Sequence, residues 1–447
     1  MRQIRQFTVE GLFDSALTHK IDFSQDGRVT IIAGPNGVGK THILRLIHAI
    51  LGLQITTLSR MPFQLARLKF ADGRSLTARR LVGSNPRESR LLLEGNGARG
   101  RKLGLVEFPA EINIESELER FIPRSDGRFI DRRTGRILQG RDVEEYASFY
   151  RMRHSHARRR AMGEEQAALF SEEVISNSDW LADLIENRNP IFIDTKRLDT
   201  PQMKGGPDGP PSSRPRIDEY IEQVKVQVAD ARRGSLAVTQ ETDQTFAKRV
   251  LTPSKKSKPI REEDLKRRYE DIAEQSAELY RSGLSQTLVD VQFPSSTVDS
   301  TETRVLSIFI DDWQRKLEPL LPVNDKLKAL QRIVNDKFIG KKLRLDKTGA
   351  LVFVADDDQS LIPVTLLSSG EQHILALFTM LLFSAQPGSV VLIDEPEISL
   401  HAAWKHAFLE DITDVANIAD LQIILATHSS GIINGRWDLV QELGTRR

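Results

Sequence analysis

Val29-Thr30-Ile31-Ile32-Ala33 leads directly into Gly34-Pro35-Asn36-Gly37-Val38-Gly39-Lys40-Thr41, and an apolar helical pattern, His42 to Leu51, follows. A buried β-branched strand, a G-x-x-x-x-G-K-T turn and a helix, in that order, leave few folds open. The glycines let the backbone bend so that its N–H groups face an anion. The helix N-terminus adds partial positive charge at the same point. In such a loop Lys40 reaches the β- and γ-phosphates of a nucleotide, and Thr41 supplies a hydroxyl to Mg²⁺. The competing reading, a Gly-rich turn with a chance lysine, does not account for the strand and helix on either side.

The matching half of such a site comes some 350 residues later. Val390 to Ile393 reads as a second buried strand and delivers Asp394 and Glu395 to its C-terminal end, where ligands sit in open α/β sheets. Asp394 is the candidate metal ligand and Glu395 the candidate general base for an attacking water. Leu421 to Ala426 is a third apolar strand and ends in Thr427-His428-Ser429. A lone histidine is more often structural than catalytic. His428 follows a strand 33 residues beyond Glu395, which favours a γ-phosphate contact. Leu367-Ser368-Ser369-Gly370-Glu371 precedes an apolar helical run, Gln372 to Phe383. By itself it reads either as an anion site at a helix N-terminus or as a plain capping sequence.

Together the four motifs resemble the Walker A, signature, Walker B and switch-histidine elements of ABC-type ATPase heads. Asp394-Glu395-Pro396-Glu397-Ile398-Ser399-Leu400-His401 is similar to the form in SMC, RecF and overcoming-lysogenization-defect (OLD) ATPases; transporter ATPases usually have D-E-P-T-x-x-L-D there. The resemblance implies an α/β fold: a P-loop NTPase head of ABC type with an antiparallel β subdomain and a helical, short coiled-coil-like insertion. It implies ATP and Mg²⁺ as cofactors, with Gly34 to Thr41 around the nucleotide, Thr41 and Asp394 on the metal, and Lys40, Glu395 and His428 in catalysis. It also implies a head-to-tail dimer in which Ser368, Ser369, Gly370 and Glu371 meet the partner's nucleotide and residues 396–401 cross the interface. Ser369 departs from the glycine commoner at its position. Gln54 and Gln64 are both candidates for the Q-loop glutamine.

The expected organisation is residues 1–124 as the first part of the head, 125–340 as a mainly helical insertion with a strand at 190–195 returning to the head, and 341–447 as the second part. Turn signals at Asp72-Gly73 and Ser84-Asn85-Pro86 divide strands Gln64–Phe70, Ser75–Val82 and Arg90–Leu93, and Leu103 to Ile114 continues the meander. Ser125 to Arg141 reads as loop, Val143 to Asn187 as mostly helical, and Thr200 to Pro215 as a flexible Pro/Gly-rich loop. Arg216–Arg233 and Ile260–Ser282 read as a short helical hairpin of about 30 Å with an exposed tip at Lys255 to Lys258. Glu302 to Val334 reads as helical, with apolar residues at helical spacing. A hairpin is centred on Lys347-Thr348-Gly349.

Hydrophobic residues make up 39% of the chain, enough for a sizeable core, and the formal net charge is only +1. No global pull toward nucleic acid follows from that charge. There is no cysteine, which suits a reducing cytoplasm and excludes disulfides and thiolate metal sites. No apolar run approaches the ~18–20 residues that cross a membrane, and no signal peptide is evident. The basic segment Arg151 to Arg160 could hold nucleic acid or an acidic surface, but sparse aromatic interleaving favours a solvated helix face. His154 and His156 lack further ligands at helpful spacing.

The chain ends 19 residues after His428, which leaves no space for the TOPRIM nuclease domain that OLD nucleases carry there. The expectation is a separate effector chain. On head motifs, size and the missing nuclease, the sequence resembles the stand-alone ATPase subunits of PARIS anti-phage systems, with Septu- and retron-associated ATPases as relatives. That resemblance implies a multimeric scaffold that restrains a TOPRIM-type nuclease until a phage trigger protein is sensed. The alternative is a RecF- or SMC-like ATPase that grips DNA in repair or maintenance. A transporter subunit is disfavoured, because its signature lies about a hundred residues after the P-loop.

Overall fold

The structure is a computed structural model. It describes residues 3–13, 18–23, 28–81, 90–109, 121–123, 128–131, 137–139, 179–185, 190–194, 202–204, 212–214, 216–252, 261–286, 293, 299–398 and 400–444. The basic segment 151–160 with His154 and His156, the lysines 255–258, most of 110–178 and most of 195–215 lie outside the described residues.

In chain order, β1 (Ile4–Glu10), β2 (Thr18–Asp22) and β3 (Val29–Ala33) precede α1 (Lys40–Leu51) and α2 (Ile55–Arg60). A meander follows: β4 (Leu65–Phe70), β5 (Ser75–Leu81), β6 (Arg90–Asn96) and β7 (Lys102–Pro109). The short strands β8 (Phe121–Pro123), β9 (Arg128–Asp131) and β10 (Ile137–Gln139) form a small antiparallel sheet. Next come α3 (Asp179–Ile185), β11 (Ile191–Asp194) and the pair β12 (Gln202–Lys204) and β13 (Ser212–Arg214). Four helices follow, α4 (Arg216–Leu251), α5 (Glu262–Arg281), α6 (Ser300–Leu317) and α7 (Leu321–Lys337). Then β14 (Lys341–Leu345), β15 (Leu351–Ala355) and β16 (Leu361–Ile362) lead to α8 (Ser369–Thr379). The chain continues with β17 (Val390–Asp394), α9 (Lys405–Ile418), β18 (Gln422–Thr427), α10 (Ser430–Ile433) and β19 (Val440–Glu442).

The chain divides into two compact units, one of residues 1–214, 388–398 and 421–447, the other of 215–387 and 399–420. The first contains a parallel sheet in the order β11-β17-β18-β3-β19 and an antiparallel sheet in the order β2-β1-β4-β5-β6-β7. Strands β3, β17 and β18 read as continuous apolar runs because both of their faces are covered: every residue of β3 and β18 is buried. The antiparallel strands alternate instead, with Ala66, Leu68 and Phe70 turned into the same core as Ile43, Leu44 and Ile47 of α1. Gln422 ties the two sheets together. Its side chain accepts from Ile4 N–H at 2.8 Å and donates to Ile4 C=O at 2.8 Å, so both buried polar groups are satisfied.

The second unit is built on the α4–α6 and α5–α6 contacts, with the three-stranded sheet β14-β15-β16 beside α7. Its helices differ from the sequence expectation in two ways. The first helix does not stop near Arg233 but runs 36 residues to Leu251, about 54 Å. Its polar second half is anchored by Arg249, whose guanidinium makes two hydrogen bonds to buried Asp312 at 2.6 and 2.7 Å, and by Ser235 Oγ, which donates to Lys316 C=O. The expected helical stretch 302–334 is helical and is divided in two, because Pro319 and Pro322 interrupt it and α7 restarts with proline in its first turn. Asp299 opens α6 with a capping box to Glu302.

A parallel sheet with a phosphate-type loop after β3, an antiparallel flank and a helical insertion between the two halves of the sheet make this an α/β P-loop NTPase head of ABC type. Among the described residues no helix is long and apolar enough to cross a membrane.

Candidate functional site

The C-terminal ends of the parallel strands lie in register. Ala33 pairs with Thr427, Ala426 with Asp394, and Asp394 with Asp194. Whatever follows these strands therefore gathers at one edge of the sheet.

After β3 the backbone turns through Gly37 (φ 84°) and Gly39 (φ 103°), left-handed values that favour glycine. A Cβ on Gly39 would also stand 3.0 Å from Leu12 Cδ2. Gly39 is the N-cap of α1 without any side-chain cap, so the first N–H groups of the helix are free to meet an anion. Lys40 is buried and folds back over the loop, donating from Nζ to Gly34 C=O at 2.7 Å and Pro35 C=O at 3.1 Å.

Thr41 Oγ1 donates to Asp394 Oδ1 at 3.0 Å. Burial pushes the Asp394 carboxyl above its ordinary value. Glu395 and Asp194 add to this, while the Thr41 hydrogen bond and Arg45 oppose it. Glu395 occupies the left-handed region at φ 47°, and its N–H donates to Ala426 C=O at 2.8 Å. That conformation costs a residue with a Cβ about 1–3 kcal/mol and clusters at functional sites. Here it re-aims the chain directly after the strand end.

His428 is half-exposed. Its Nδ1 lies 3.1 Å from Glu397 Oε1 and 4.0 Å from Glu395 Oε1. Glu397 is buried, and the same Oε1 accepts from Thr427 Oγ1 at 2.7 Å and from His428 N–H at 3.2 Å. This carboxylate holds the imidazole by Nδ1 and leaves Nε2 as the outward nitrogen. Its other oxygen, Oε2, is buried without a hydrogen-bond partner among the described residues.

In the second unit, Ser368 caps α8. Glu371 accepts from Ser368 N–H at 2.8 Å and from Ser368 Oγ at 2.9 Å, completing a capping box. Ser369 and Gly370 form the first turn. Both carboxylate oxygens of Glu371 are met by Lys341 Nζ, at 2.9 and 3.0 Å.

Gly34 to Thr41, Asp394, Glu395 and His428 thus share one sheet edge of the first unit, and Ser368 to Glu371 belong to the second. Gln54 Oε1 accepts from Thr57 Oγ1, and Gln64 packs over Gly11. Sequence reasoning missed Glu397, Asp194, Lys341 and Phe13, whose ring stacks edge-on against His42 with centroids 4.6 Å apart. Glu397 had a visible signal, its place two residues after Glu395, and Asp194 ends the strand expected at 190–195. Among the described residues no three His, Asp or Glu side chains form a metal site by themselves. A hydroxyl and a partly buried carboxylate 3.0 Å apart nevertheless fit Mg²⁺, which takes few protein ligands and draws the rest from phosphate and water.

Fold and site define an ABC-type P-loop ATPase head. Residues 206–434, which are just over half of the chain and include the signature, Asp394, Glu395 and His428, match the family described as "AAA domain, putative AbiEii toxin, Type IV TA system". The chain belongs to this family. Among solved structures it is similar to an Smc head domain with an extended coiled coil bound to the C-terminal domain of ScpA, derived from Pyrococcus furiosus (15% identity, 97% of this chain and 91% of that chain, TM-score 0.36). It is also similar to an SmcHead bound to the C-winged helix domain of ScpA (13%, 96% and 90%, 0.33) and to the SMC head domain from Thermotoga maritima (10%, 98% and 94%, 0.32). At these scores the strand order, not the likeness, carries the fold. No curated protein matches the chain.

Proposed function

We propose that the protein binds and hydrolyses ATP with Mg²⁺ and acts as the sensor and scaffold subunit of a bacterial anti-phage complex, restraining a separate effector nuclease of TOPRIM type until a phage trigger protein is sensed. The observation that carries the ATPase reading is the meeting of Thr41 and Asp394 at 3.0 Å, with Lys40, Glu395 and His428 at the same strand edge. The loop N–H groups and Lys40 hold the phosphates. Thr41 and Asp394 hold Mg²⁺, which offsets charge on the phosphate oxygens when bound. Glu395 orients and deprotonates water, and His428, fixed by Glu397, donates toward the γ-phosphate. Two heads joined head-to-tail place Ser368 to Glu371 on the partner's nucleotide. Supporting the defence reading are the resemblance of the motifs to the PARIS ATPases and a family description that names a toxin–antitoxin system.

Lys40→Ala should lose ATP binding, and Glu395→Gln should bind without turnover; wild-type hydrolysis by Lys40→Ala would overturn the site. Native mass spectrometry of the chain co-expressed with its genomic neighbour, with ATP and Mg²⁺, tests the scaffold. A stable complex of several copies with the neighbour supports it, and a bare dimer that ignores the neighbour sinks it.

A second reading, a RecF- or SMC-like ATPase that binds DNA, is favoured by one feature. A cavity of about 270 Å³ between α1 and α2 is lined by His42, Arg45 and Arg60 with Thr56 and Thr57, and by no carboxylate. This reading requires ATP-dependent DNA affinity that falls steeply with salt.

A further inference from the structure

We propose that Lys341 is a positioning residue for the signature serine, acting through Glu371. This rests on the reading that the N-terminus of α8 meets a γ-phosphate. Ser368 Oγ donates its only proton to Glu371 Oε2 at 2.9 Å, while the same oxygen accepts from Ser368 N–H at 2.8 Å. In that state the hydroxyl offers an incoming phosphate only lone pairs, which repel it. To donate to a phosphate oxygen the hydroxyl must rotate about its C–O bond and leave Glu371.

A buried carboxylate such as that of Glu371 holds a hydrogen-bond donor back unless another group compensates for its loss. Lys341 is that group. It stands on the first residue of β14, 30 residues before Glu371. Its ammonium contacts both Glu371 oxygens, and neither side chain is more than one-fifth exposed. Glu371 therefore keeps a charge-assisted partner while Ser368 exchanges acceptors, and the exchange becomes shallow. The ammonium also adds positive charge beside the helix N-terminus that receives the phosphate. Without Lys341, Glu371 keeps its proton donor and the serine stays turned inward. Lys341, Ser368 and Glu371 belong to the second unit and the Lys40 loop to the first, so nucleotide affinity and turnover should respond separately.

The test is steady-state hydrolysis by Lys341→Met and Lys341→Arg, with nucleotide affinity measured in parallel by a fluorescent ATP analogue. Lys341→Met should lower kcat by about tenfold or more with analogue affinity nearly unchanged, and Lys341→Arg should restore most of it. Glu371→Gln removes the acceptor charge, so adding Lys341→Met to it should cost no further activity. Wild-type kcat in Lys341→Met, or an undiminished effect of Lys341→Met in the Glu371→Gln background, overturns the proposal. Ser368→Arg separates the two levels. If it hydrolyses ATP at the wild-type rate, the signature reading itself fails; if it is inactive while Lys341→Met is normal, only the role of Lys341 fails.

Discussion

Glu397 stands behind His428, with one buried oxygen shared among the imidazole Nδ1, the His428 N–H and the Thr427 hydroxyl. The histidine is therefore held both by its ring and by its backbone. Glu397→Ala strands the Thr427 hydroxyl and the His428 N–H, and should lower stability by about 1–3 kcal/mol. Glu397→Gln keeps an acceptor and should unfold later than Glu397→Ala in a thermal scan, yet still lower kcat, because the carboxylate no longer steadies the imidazole. Equal melting temperatures for the two variants would remove Glu397 as the anchor.

Thr41 and Asp394 make the metal dependence testable. In Asp394→Asn the Mg²⁺-dependent part of ATP affinity should largely disappear, while metal-free nucleotide binding survives through the loop and Lys40. Titration calorimetry with and without Mg²⁺ reads this directly. An unchanged Mg²⁺ contribution would move the metal elsewhere.

Gly39 combines a left-handed φ with a Cβ clash against Leu12. Gly39→Ala should cost about 1–3 kcal/mol and abolish nucleotide binding together, since the same turn shapes the loop and starts the helix. Denaturant unfolding and analogue binding on one preparation check both.

Arg249 and Asp312 tie the far half of α4 to α6. Arg249→Leu leaves Asp312 buried and uncompensated, at a cost of about 3 kcal/mol. The double variant Arg249→Leu with Asp312→Leu should recover much of that loss in a denaturant series. If the double variant is as unstable as the single, the cost comes from lost packing rather than stranded charge.

Glu371 supplies a pH dependence. Burial acts to raise its carboxyl, but the Lys341 and Ser368 hydrogen bonds prevail and hold it below its ordinary value. A depressed folded value means that its contribution is present above the unfolded value and is lost as pH falls through the folded one. The stability gap between wild type and Glu371→Gln should be open at neutral pH and should close as pH falls through the depressed folded value of the carboxyl. A gap independent of pH would show that the charge contributes nothing.

Much of the fold class was legible because β3, β17 and β18 are covered on both faces and so appear as uninterrupted apolar runs such as Val390 to Ile393. The meander was legible from alternation and from Asp72-Gly73. The far half of α4 was not, because Gly234 and the polar stretch after it resemble a loop until Asp312, 63 residues away, supplies a partner for Arg249. The helical character of 302–334 was legible from its apolar spacing, and Pro319 and Pro322 mark where it divides. In the candidate site, residues inside compact motifs could be named from the chain alone. Lys341 could not, since only the packing of β14 against the helix cap brings its ammonium to Glu371. The strand that carries Asp194 was legible, but its place beside Asp394 was not, because that depends on strand pairing.

The order of strands in the parallel sheet also sets a folding schedule. β3 lies between β18 and β19, so a strand made early has both neighbours made last. While the chain is being synthesised, Val29-Thr30-Ile31-Ile32-Ala33 has no sheet partner on either side and presents an apolar, uncharged edge. The helices α4, α5 and α6, all complete by residue 317, can pack on one another in that interval. The sheet that gathers the candidate site closes only after residue 440 has emerged. Late closure and an unpaired early strand make the interval before residue 440 the one in which edge-to-edge association is the main hazard for the nascent chain.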